Sequence, residues 1–213
     1  MFEDLSQHKE YLDTKLKKSV ITPKLLFNNC AFLFENSKQA PAFYDNTWST
    51  LYYFLGEIYH EFTENICEVN FSLGLFSYAY LRKKSNIKYF CGFYPKQEKQ
   101  NIVVPMRLGR ANIKKKAKKA QIVTLYGNLY DDDITDKLQK NKLDLLIFSE
   151  INSYNKTLEM LDFFYPSVRE NGLVVIDEYN HKEVKEAVDA FAFSKNKKLF
   201  TFKTRYGTAI LQK

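Results

Sequence analysis

The chain has 213 residues, of which 45% are hydrophobic and 16% aromatic, so it can bury a core and is not a disordered chain. The net charge of +7 permits an anionic partner without requiring one, and three cysteines without a Cys-x-x-Cys motif argue against a disulfide framework or a thiolate metal site. No apolar run approaches the ~20 residues of a membrane span and the N-terminus has no signal-peptide core, so we expect a cytoplasmic protein without a membrane partner.

The first part of the chain is predicted to be helical. Leu12, Leu16 and Val20 recur at helical spacing. We interpret residues 1–62 as a helical N-terminal extension and residues 63–213 as an α/β domain. An aromatic cluster in the extension either covers a substrate site or packs the extension onto the sheet, and its members are Phe43, Tyr44, Trp48, Tyr52 and Tyr53.

From residue 65 onward, short apolar runs alternate with segments of helical periodicity. Uniformly apolar runs suit parallel strands that are covered on both faces. Two final runs, split by Tyr206-Gly207, predict a closing antiparallel hairpin. We therefore predict an α/β fold: a doubly wound, mostly parallel, seven-stranded Rossmann-like sheet with a C-terminal antiparallel hairpin and a helical N-terminal extension. The predicted strands are 65–70, 87–93, 121–126, 143–150, 171–179, 199–205 and 208–213, and the helices between them 75–81, 103–120, 131–139, 154–170 and 182–191.

Polar residues follow the fourth and fifth predicted strands. In sheets of this kind ligands bind at the carboxyl ends of the strands. Ser149 and Glu150 close the fourth run, and Asp177 and Glu178 close the fifth, so we expect them on the functional edge. His181 follows shortly after, where it acts either as a general base near neutral pH or as a cap of the next helix.

The order and spacing of these elements resemble those of the class I S-adenosylmethionine-dependent methyltransferases over about residues 60–213. The first motif of that family is Glu-x-Gly-x-Gly-x-Gly, and the run here is Glu68-Val-Asn70-Phe-Ser72-Leu-Gly74, which keeps the acid and the last glycine. Asn tolerates positive φ better than most residues and Ser is small, so both substitutions preserve the shape of the loop. The resemblance implies that these four numbered residues hold the cofactor.

Three further cofactor positions depart from the family pattern. Tyr94 stands at the end of the second strand, where the family has an acid that binds the ribose hydroxyls, and a phenol reaches one hydroxyl rather than two. Asn128 follows Gly127 where the family often has an aspartate near the adenine, and its amide can still hydrogen-bond an amine. By the same resemblance, Ser149 completes the frame of the cofactor.

The second half resembles the small-molecule and sugar O-methyltransferases. The run Asp144-Leu-Leu-Ile-Phe-Ser149-Glu-Ile-Asn152-Ser-Tyr is similar to their Asp-Leu-Ile-Phe-Ile-Asp-Gly-x-His-Ser-Tyr. The run Asn171-Gly-Leu-Val-Val-Ile-Asp177-Glu-Tyr is similar to their Gly-Gly-x-x-x-x-Asp-Asp-Tyr. The resemblance implies a small-molecule or sugar-like acceptor.

The metal-dependent members of that subgroup hold a divalent cation with residues at the positions of Ser149, Asp177 and Glu178. The ion lowers the pKa of a substrate hydroxyl. Here Ser149 replaces an acid and Asn152 replaces a histidine, so the implied Mg²⁺ site is reduced to Asp177 and Glu178.

The leading hypothesis is methyl transfer from S-adenosylmethionine to an oxygen of such an acceptor, mostly by positioning the two reactants. Asp177, Glu178 or His181 would take the proton. The competing hypothesis is a methyltransferase-like scaffold that has lost catalysis, because the first motif, Tyr94 and Ser149 all depart from the pattern.

The strongest basic patch runs from Arg107 to Lys119. It would attract an anionic ligand at Lys114–Lys119, either a phosphorylated or nucleotide-linked substrate or a nucleic acid, or else it is a solvated helix face. No aromatic residue interleaves the patch. A nucleic-acid methyltransferase is therefore a third hypothesis, although an Asn-Pro-Pro-Tyr-like run is absent after the fourth strand.

Overall fold

A computed structural model describes residues 3–19, 21, 45–81, 86–96, 103–149 and 153–213. Predictions that concern Val20, Phe43, Tyr44, Glu150 and Asn152 lie outside the described residues. None of the helices in the described part is both long and apolar enough to pass through a membrane.

The described residues form seven strands and seven α-helices, with 3₁₀ turns at Leu5–His8 and Tyr165–Ser167. The strands β1 to β7 are Asn65–Val69, Tyr89–Pro95, Gln121–Gly127, Leu143–Phe148, Val168–Asp177, Leu199–Phe202 and Thr208–Gln212. The helices α1 to α7 are Lys9–Lys18, Asn46–Tyr59, Leu75–Tyr80, Val103–Lys116, Asp132–Gln139, Tyr154–Phe164 and Lys182–Ser194.

The strands form one sheet in the order β3-β2-β1-β4-β5-β7-β6. Strands β1 to β5 pair in parallel, and β7 runs antiparallel to both β5 and β6. The prediction of a doubly wound, mostly parallel sheet with a C-terminal antiparallel hairpin is therefore confirmed.

Two apolar layers cover the sheet, which explains why the central strands are apolar on both faces. One face carries α1 to α4, and Ile66, Ile147 and Val175 point into that layer. The other face carries α5, α6 and α7, and the neighbouring strand residues Val69 and Phe148 point into it. Strands β1 and β4 are buried along their whole length.

The fifth strand starts earlier than predicted, because the Asn-Gly pair forms a bulge rather than a turn. β5 begins at Val168, and Asn171 lies inside it with φ 64°. The Asn171 amide donates to the Lys213 carbonyl, and the Lys213 amide donates to the Gly172 carbonyl, both at 3.0 Å. A Cβ at Gly172 would lie 2.8 Å from Cγ1 of Val168, so only glycine allows this path.

Several other boundaries differ from the prediction. The sixth helix ends at Phe164, because Pro166 in the following 3₁₀ turn has no amide to continue it. The second strand spans 89–95 rather than 87–93, and the fourth helix ends at Lys116 rather than 120. The sixth strand ends at Phe202, where the connection to β7 begins.

The ring of Phe71 fills the space beneath the loop that joins β1 to α3. It is fully buried and meets the Phe90 ring edge-on at 5.4 Å between centroids. A Cβ added at Gly74, Gly92 or Gly109 would come within 2.7, 2.4 or 2.7 Å of this ring. Three of the seven glycines of the chain therefore make room for one aromatic side chain on the loop, on β2 and on α4.

We expect Gly92→Ala to lower the free energy of unfolding by about 1–3 kcal/mol, because the new methyl group overpacks the Phe71 ring. Urea unfolding followed by circular dichroism measures the loss. Gly127→Ala is the matched control, since the nearest atom to its added Cβ would be Ile134 Cγ1, at 3.2 Å. In the double variant with Phe71→Leu the combined loss should be less than the sum of the two single losses. Strict additivity would contradict this contact.

Candidate functional site

Two acids project from the carboxyl ends of β1 and β5 toward the same helical layer. Side chains alternate along a strand, and Ile66 and Val175 face the layer of α1 to α4. Glu68 and Asp177, two residues further on, therefore face the same layer. Both are largely buried, with 2% and 7% of their surfaces exposed.

Glu68 is bound to the start of α3. Its Oε2 accepts a hydrogen bond from the Ser77 amide at 3.0 Å, in the first turn of the helix. Gly74 precedes this helix with φ 66°, a left-handed conformation that an L side chain rarely adopts. The carboxylate thus fixes the loop and the helix start relative to β1.

The other predicted loop residues take up the shape that the sequence suggested. Asn70 has φ 58°, and its Nδ2 donates to the Ser149 carbonyl at 2.5 Å. Ser72 is half-buried, and its carbonyl lies so near α4 that a Cβ at Gly109 would be 2.3 Å away from it. The loop is therefore held by β4 on one side and by α4 on the other.

Ser149 joins the ends of β1 and β4. Its Oγ donates to the Val69 carbonyl at 3.1 Å and its amide donates to the same oxygen at 3.3 Å. The side chain is buried. In the metal-dependent methyltransferases that the sequence resembles, this position holds a metal-binding acid. Here the Ser149 hydroxyl instead forms a hydrogen bond that joins two strands.

Asp177 is a buried carboxyl group with an altered acidity. Its Oδ1 accepts a 3.0 Å hydrogen bond from Thr208, the residue that pairs with it on β7. Burial raises the pKa of Asp177 to about 7; the Thr208 hydrogen bond opposes this rise, and the negative charges of Glu178 and Asp45 add to it. Glu178 is half-buried with φ 61°, so the backbone at this edge is in an uncommon conformation for a non-glycine residue.

A second buried aspartate at the opposite edge of the sheet provides a contrast. Asp144 accepts from the amides of Glu64 and Asn65, both at 2.8 Å, and pairs with Arg169 at 3.0 Å. These groups offset the desolvation of the carboxylate. Asp177 has no comparable cation among the groups that shift its pKa within the described residues.

Helix α2 lies over the carboxyl edge. Tyr52 of this helix is fully buried; burial raises the pKa of its phenol well above the usual value, and the charges of Asp177 and Glu68 add to the rise. The helix packs directly on α3, since a Cβ at Gly56 would lie 1.9 Å from the Tyr80 carbonyl oxygen. The acids are thus enclosed between the sheet and α2.

Several buried polar atoms in this region have no hydrogen-bond partner among the described residues. Buried polar groups are nearly always paired, so such atoms indicate a place where water or a ligand binds. They belong to α2 or the residue before it, to the β1–α3 loop, and to α3: Asp45 Oδ2, Tyr52 Oη, Asn70 Oδ1 and Ser77 Oγ. Together with the two acids they make an acceptor-rich environment that fits a polar ligand with positive charge.

The remaining predicted residues are more dispersed. Tyr94 is buried in the α1–α4 layer of the core, with 4% of its surface exposed. Asn128 is exposed, and its amide and Nδ2 donate to the Asp131 carboxylate at 3.1 and 3.4 Å. His181 is exposed at the N-cap of α7, where its side chain makes no capping hydrogen bond while its amide donates to the Glu178 carbonyl at 2.8 Å.

The described residues do not fit the implied magnesium centre. Among them, no group of three or more His, Cys, Asp or Glu side chains is arranged to hold a metal ion. Asp177 is hydrogen-bonded to Thr208, and Ser149 to the Val69 carbonyl, so the candidate pair Asp177 and Glu178 gains no third donor there.

No protein-family model and no curated protein matches the sequence. Solved structures do match it over nearly all of its length. An SAH-bound methyltransferase from Podospora anserina has a TM-score of 0.66 at 8% identity, with 100% of this chain and 97% of that chain covered. The chain has the class I methyltransferase fold.

Other structures with the class I methyltransferase fold match it similarly. A methyltransferase from Geobacter sulfurreducens has a TM-score of 0.61 at 11% identity, covering 98% of this chain and 96% of that chain. A TDP-rhamnose 3′-O-methyltransferase of calicheamicin biosynthesis has a TM-score of 0.59 at 14% identity, covering 97% and 93%.

Sequence reasoning missed the groups that surround Asp177 in this fold. Thr208 pairs with it across β5 and β7, and the pairing register is not visible in either run alone. Asp45 accepts from the Thr47 amide at 2.8 Å as the N-cap of α2, and an Asp two residues before a Thr at a helix start was the available signal. Tyr52 belonged to the aromatic cluster, but its proximity to two acids was not foreseen.

The raised pKa of Asp177 predicts a pH-dependent stability. Its folded-state pKa near 7 lies above its unfolded value, so the folded state holds a proton that the unfolded state loses, and stability falls as pH rises from about 4 to 7. Each unit of pKa difference corresponds to about 1.4 kcal/mol. We therefore expect Asp177→Asn to be more stable than wild type at pH 8, and the gain to shrink toward pH 4.

Chemical unfolding at several pH values measures this difference. Asn keeps an acceptor for Thr208, and Asp136→Asn, on the exposed surface of α5, is the matched control that should show no pH-dependent gain. A difference between wild type and Asp177→Asn that stays constant from pH 4 to pH 8 would show that Asp177 titrates normally.

Proposed function

We propose that this chain binds S-adenosylmethionine above the carboxyl ends of β1, β4 and β5, beneath α2, and transfers its methyl group to an oxygen of a small or sugar-like acceptor. The observation that carries the proposal is the pair of buried acids, Glu68 and Asp177, among polar atoms without partners. S-adenosylmethionine supplies an activated methyl group on a positively charged sulfonium, next to a positively charged amino group.

Charge complementarity supports this ligand. Burial and neighbouring negative charges hold the pKa of Asp177 near 7, which means that its ionised form is poorly stabilised by the described residues. A bound cation would stabilise that form and lower the pKa. The unpartnered acceptor Asn70 Oδ1 and the phenol of Tyr52 are suited to receive or donate hydrogen bonds to the polar parts of the same ligand.

The loop between β1 and α3 would form the floor of the site. Gly74 and Asn70 carry the positive φ angles that bring the backbone close to a ligand, and Ser72 adds little bulk. Tyr94 lies near the end of β2 and Asn128 directly after β3, and we propose that they contact the ribose and the adenine. We further propose that residues 1–62 act as the cover of this site and 63–213 as the methyltransferase-like domain.

Asp177 is the preferred general base. A base takes a proton only in its ionised form, and the cation of a bound cofactor would keep Asp177 ionised below its pKa of about 7 in the free protein. Glu178, half-buried beside it, and His181, exposed at the start of α7, are the other candidates. Most of the rate acceleration would come from holding the acceptor oxygen in line with the methyl group, because an oriented pair avoids the entropy loss of an encounter.

A catalytically inactive, methyltransferase-like binding protein is the second candidate. The observation that favours it is that several implied cofactor groups already have protein partners or lie in the core. The Ser149 hydroxyl is bonded to Val69, Asn128 is bonded to Asp131, and Tyr94 is buried. Cofactor binding separates the two candidates.

Calorimetry with S-adenosylmethionine and with S-adenosylhomocysteine, which lacks the sulfonium charge, tests the proposal. We expect micromolar binding of S-adenosylmethionine that strengthens as pH rises from 6 to 8, because Asp177 ionises over this range. Asp177→Asn should weaken S-adenosylmethionine more than S-adenosylhomocysteine and remove the pH dependence, whereas Asp136→Asn should change neither.

The outcomes discriminate between the candidates. Absence of binding at millimolar cofactor would overturn the methyltransferase proposal and favour the inactive protein. If Asp177→Asn binds the cofactor as the wild type does, the protein is a cofactor-binding protein, but Asp177 is not part of the binding site. The same titrations with and without Mg²⁺ test whether Asp177 and Glu178 recruit a cation with help from the ligand.

A further inference from the structure

A basic groove lies between α4 and β3, away from the two buried acids. Its volume is about 330 Å³, and its lining consists of Arg107, Arg110, Ala111, Lys114 and Ile122. The three cations are exposed, and within the described part of the chain none of them forms an ion pair with an acid. Ala111 and Ile122 give the groove an apolar floor.

The cations form a line rather than a cluster. With a rise of ~1.5 Å per residue, the seven steps from Arg107 to Lys114 span roughly 10 Å along α4. Exposed Lys118 and Lys119 extend the positive surface past the end of the helix. A single phosphate is best held by donors that converge on it, whereas a row of cations matches a row of phosphates.

An exposed aromatic side chain lies four residues beyond Ile122, on the same face of β3. Alternation along β3 places Tyr126 on the same face as Ile122, which packs against α4. Tyr126 is 41% exposed, although it is a large aromatic residue. An exposed ring next to a basic track is the arrangement with which proteins stack the bases of single strands.

The groove is too far from Asp177 to belong to a small acceptor. Three strands, β2, β1 and β4, separate β3 from β5. At a strand spacing of ~4.8 Å this amounts to roughly 19 Å across the sheet. A ligand in the groove is therefore separate from the methyl-transfer site or long enough to extend beyond it.

We propose that the groove between α4 and β3 binds the sugar-phosphate backbone of a single-stranded nucleic acid, with a base stacked on Tyr126. The cations would neutralise successive phosphates, which accounts for their linear spacing and for the absence of acidic partners among the described residues. This inference does not rest on the proposed methyl transfer, because it concerns binding at a different surface.

Fluorescence anisotropy with a labelled single-stranded 20-nucleotide RNA, and with a DNA of the same sequence, tests the proposal on the full chain over a series of salt concentrations. We expect the triple variant Arg107→Gln, Arg110→Gln, Lys114→Gln to bind at least about tenfold more weakly at low salt. The slope of log affinity against log salt should become shallower by about 2, since each phosphate contact contributes ~0.7 for single strands.

A matched control removes the same charge elsewhere. Lys17→Gln, Lys18→Gln, Lys140→Gln replaces three exposed lysines outside the groove and should change affinity by less than about threefold. All six positions are on the surface, and thermal unfolding verifies that both triple variants are folded. An equal loss of affinity in the two triple variants would show that only the net charge matters, and it would overturn the proposed binding site.

Tyr126→Ala separates a nucleic acid from other polyanions. We expect this substitution to lower the affinity for the oligonucleotide by at least about fivefold and to leave the affinity for inorganic polyphosphate unchanged, because only the oligonucleotide has bases to stack. Two results would overturn the proposal: no binding of the wild-type chain to RNA or DNA at low salt, or an unchanged affinity of Tyr126→Ala for both together with equal competition by polyphosphate.

Discussion

The fully buried ring of Phe71 determines how closely the β1–α3 loop, β2 and α4 approach one another. Glycines on all three elements leave the space that this ring needs, so the loop is supported from the side of the sheet as well as by the Glu68 hydrogen bond to α3. The positive φ angles of Asn70 and Gly74 follow from this confined path. A loop that is fixed in this way can present unpartnered polar atoms without rearranging to satisfy them.

The buried acids at the two edges of the sheet differ in the groups that surround them. At the amino edge Asp144 has two amide donors and an arginine, which is the pattern of a structural acid. At the carboxyl edge Asp177 accepts hydrogen bonds from the Thr208 hydroxyl and the Glu178 backbone, but its charged neighbours are negative, and burial raises its pKa to about 7. The acid at the amino edge is therefore stabilised by its donors, whereas the acid at the carboxyl edge has a perturbed pKa. This difference is expected for a parallel sheet whose ligands bind at the carboxyl ends of the strands.

The architecture was predictable because parallel strands covered on both faces leave a strong sequence signal: the runs 145–148 and 173–176 are uniformly apolar, and a polar residue follows each of them. The Asn171 bulge was not, since the same Asn-Gly pair suits a turn and only the contacts with β7 decide between them. The candidate site was foreseen as a set of strand ends. Its enclosure by α2 and the pairing of Asp177 with Thr208 depend on distant segments of the chain. The sequence showed the basic run on α4 without showing that Tyr126 is exposed on the face of β3 that packs against this helix.

The chain contains a single tryptophan, Trp48, which lies on α2 over the candidate site. Trp48 is 3% exposed, and its ring lies 5.1 Å from Phe76 of α3 and 6.4 Å from Tyr52, measured between centroids. An indole in this position emits from an apolar environment and moves into water only when α2 separates from α3. The protein therefore carries an intrinsic optical probe whose emission wavelength reports whether α2 is packed against α3, without any added label.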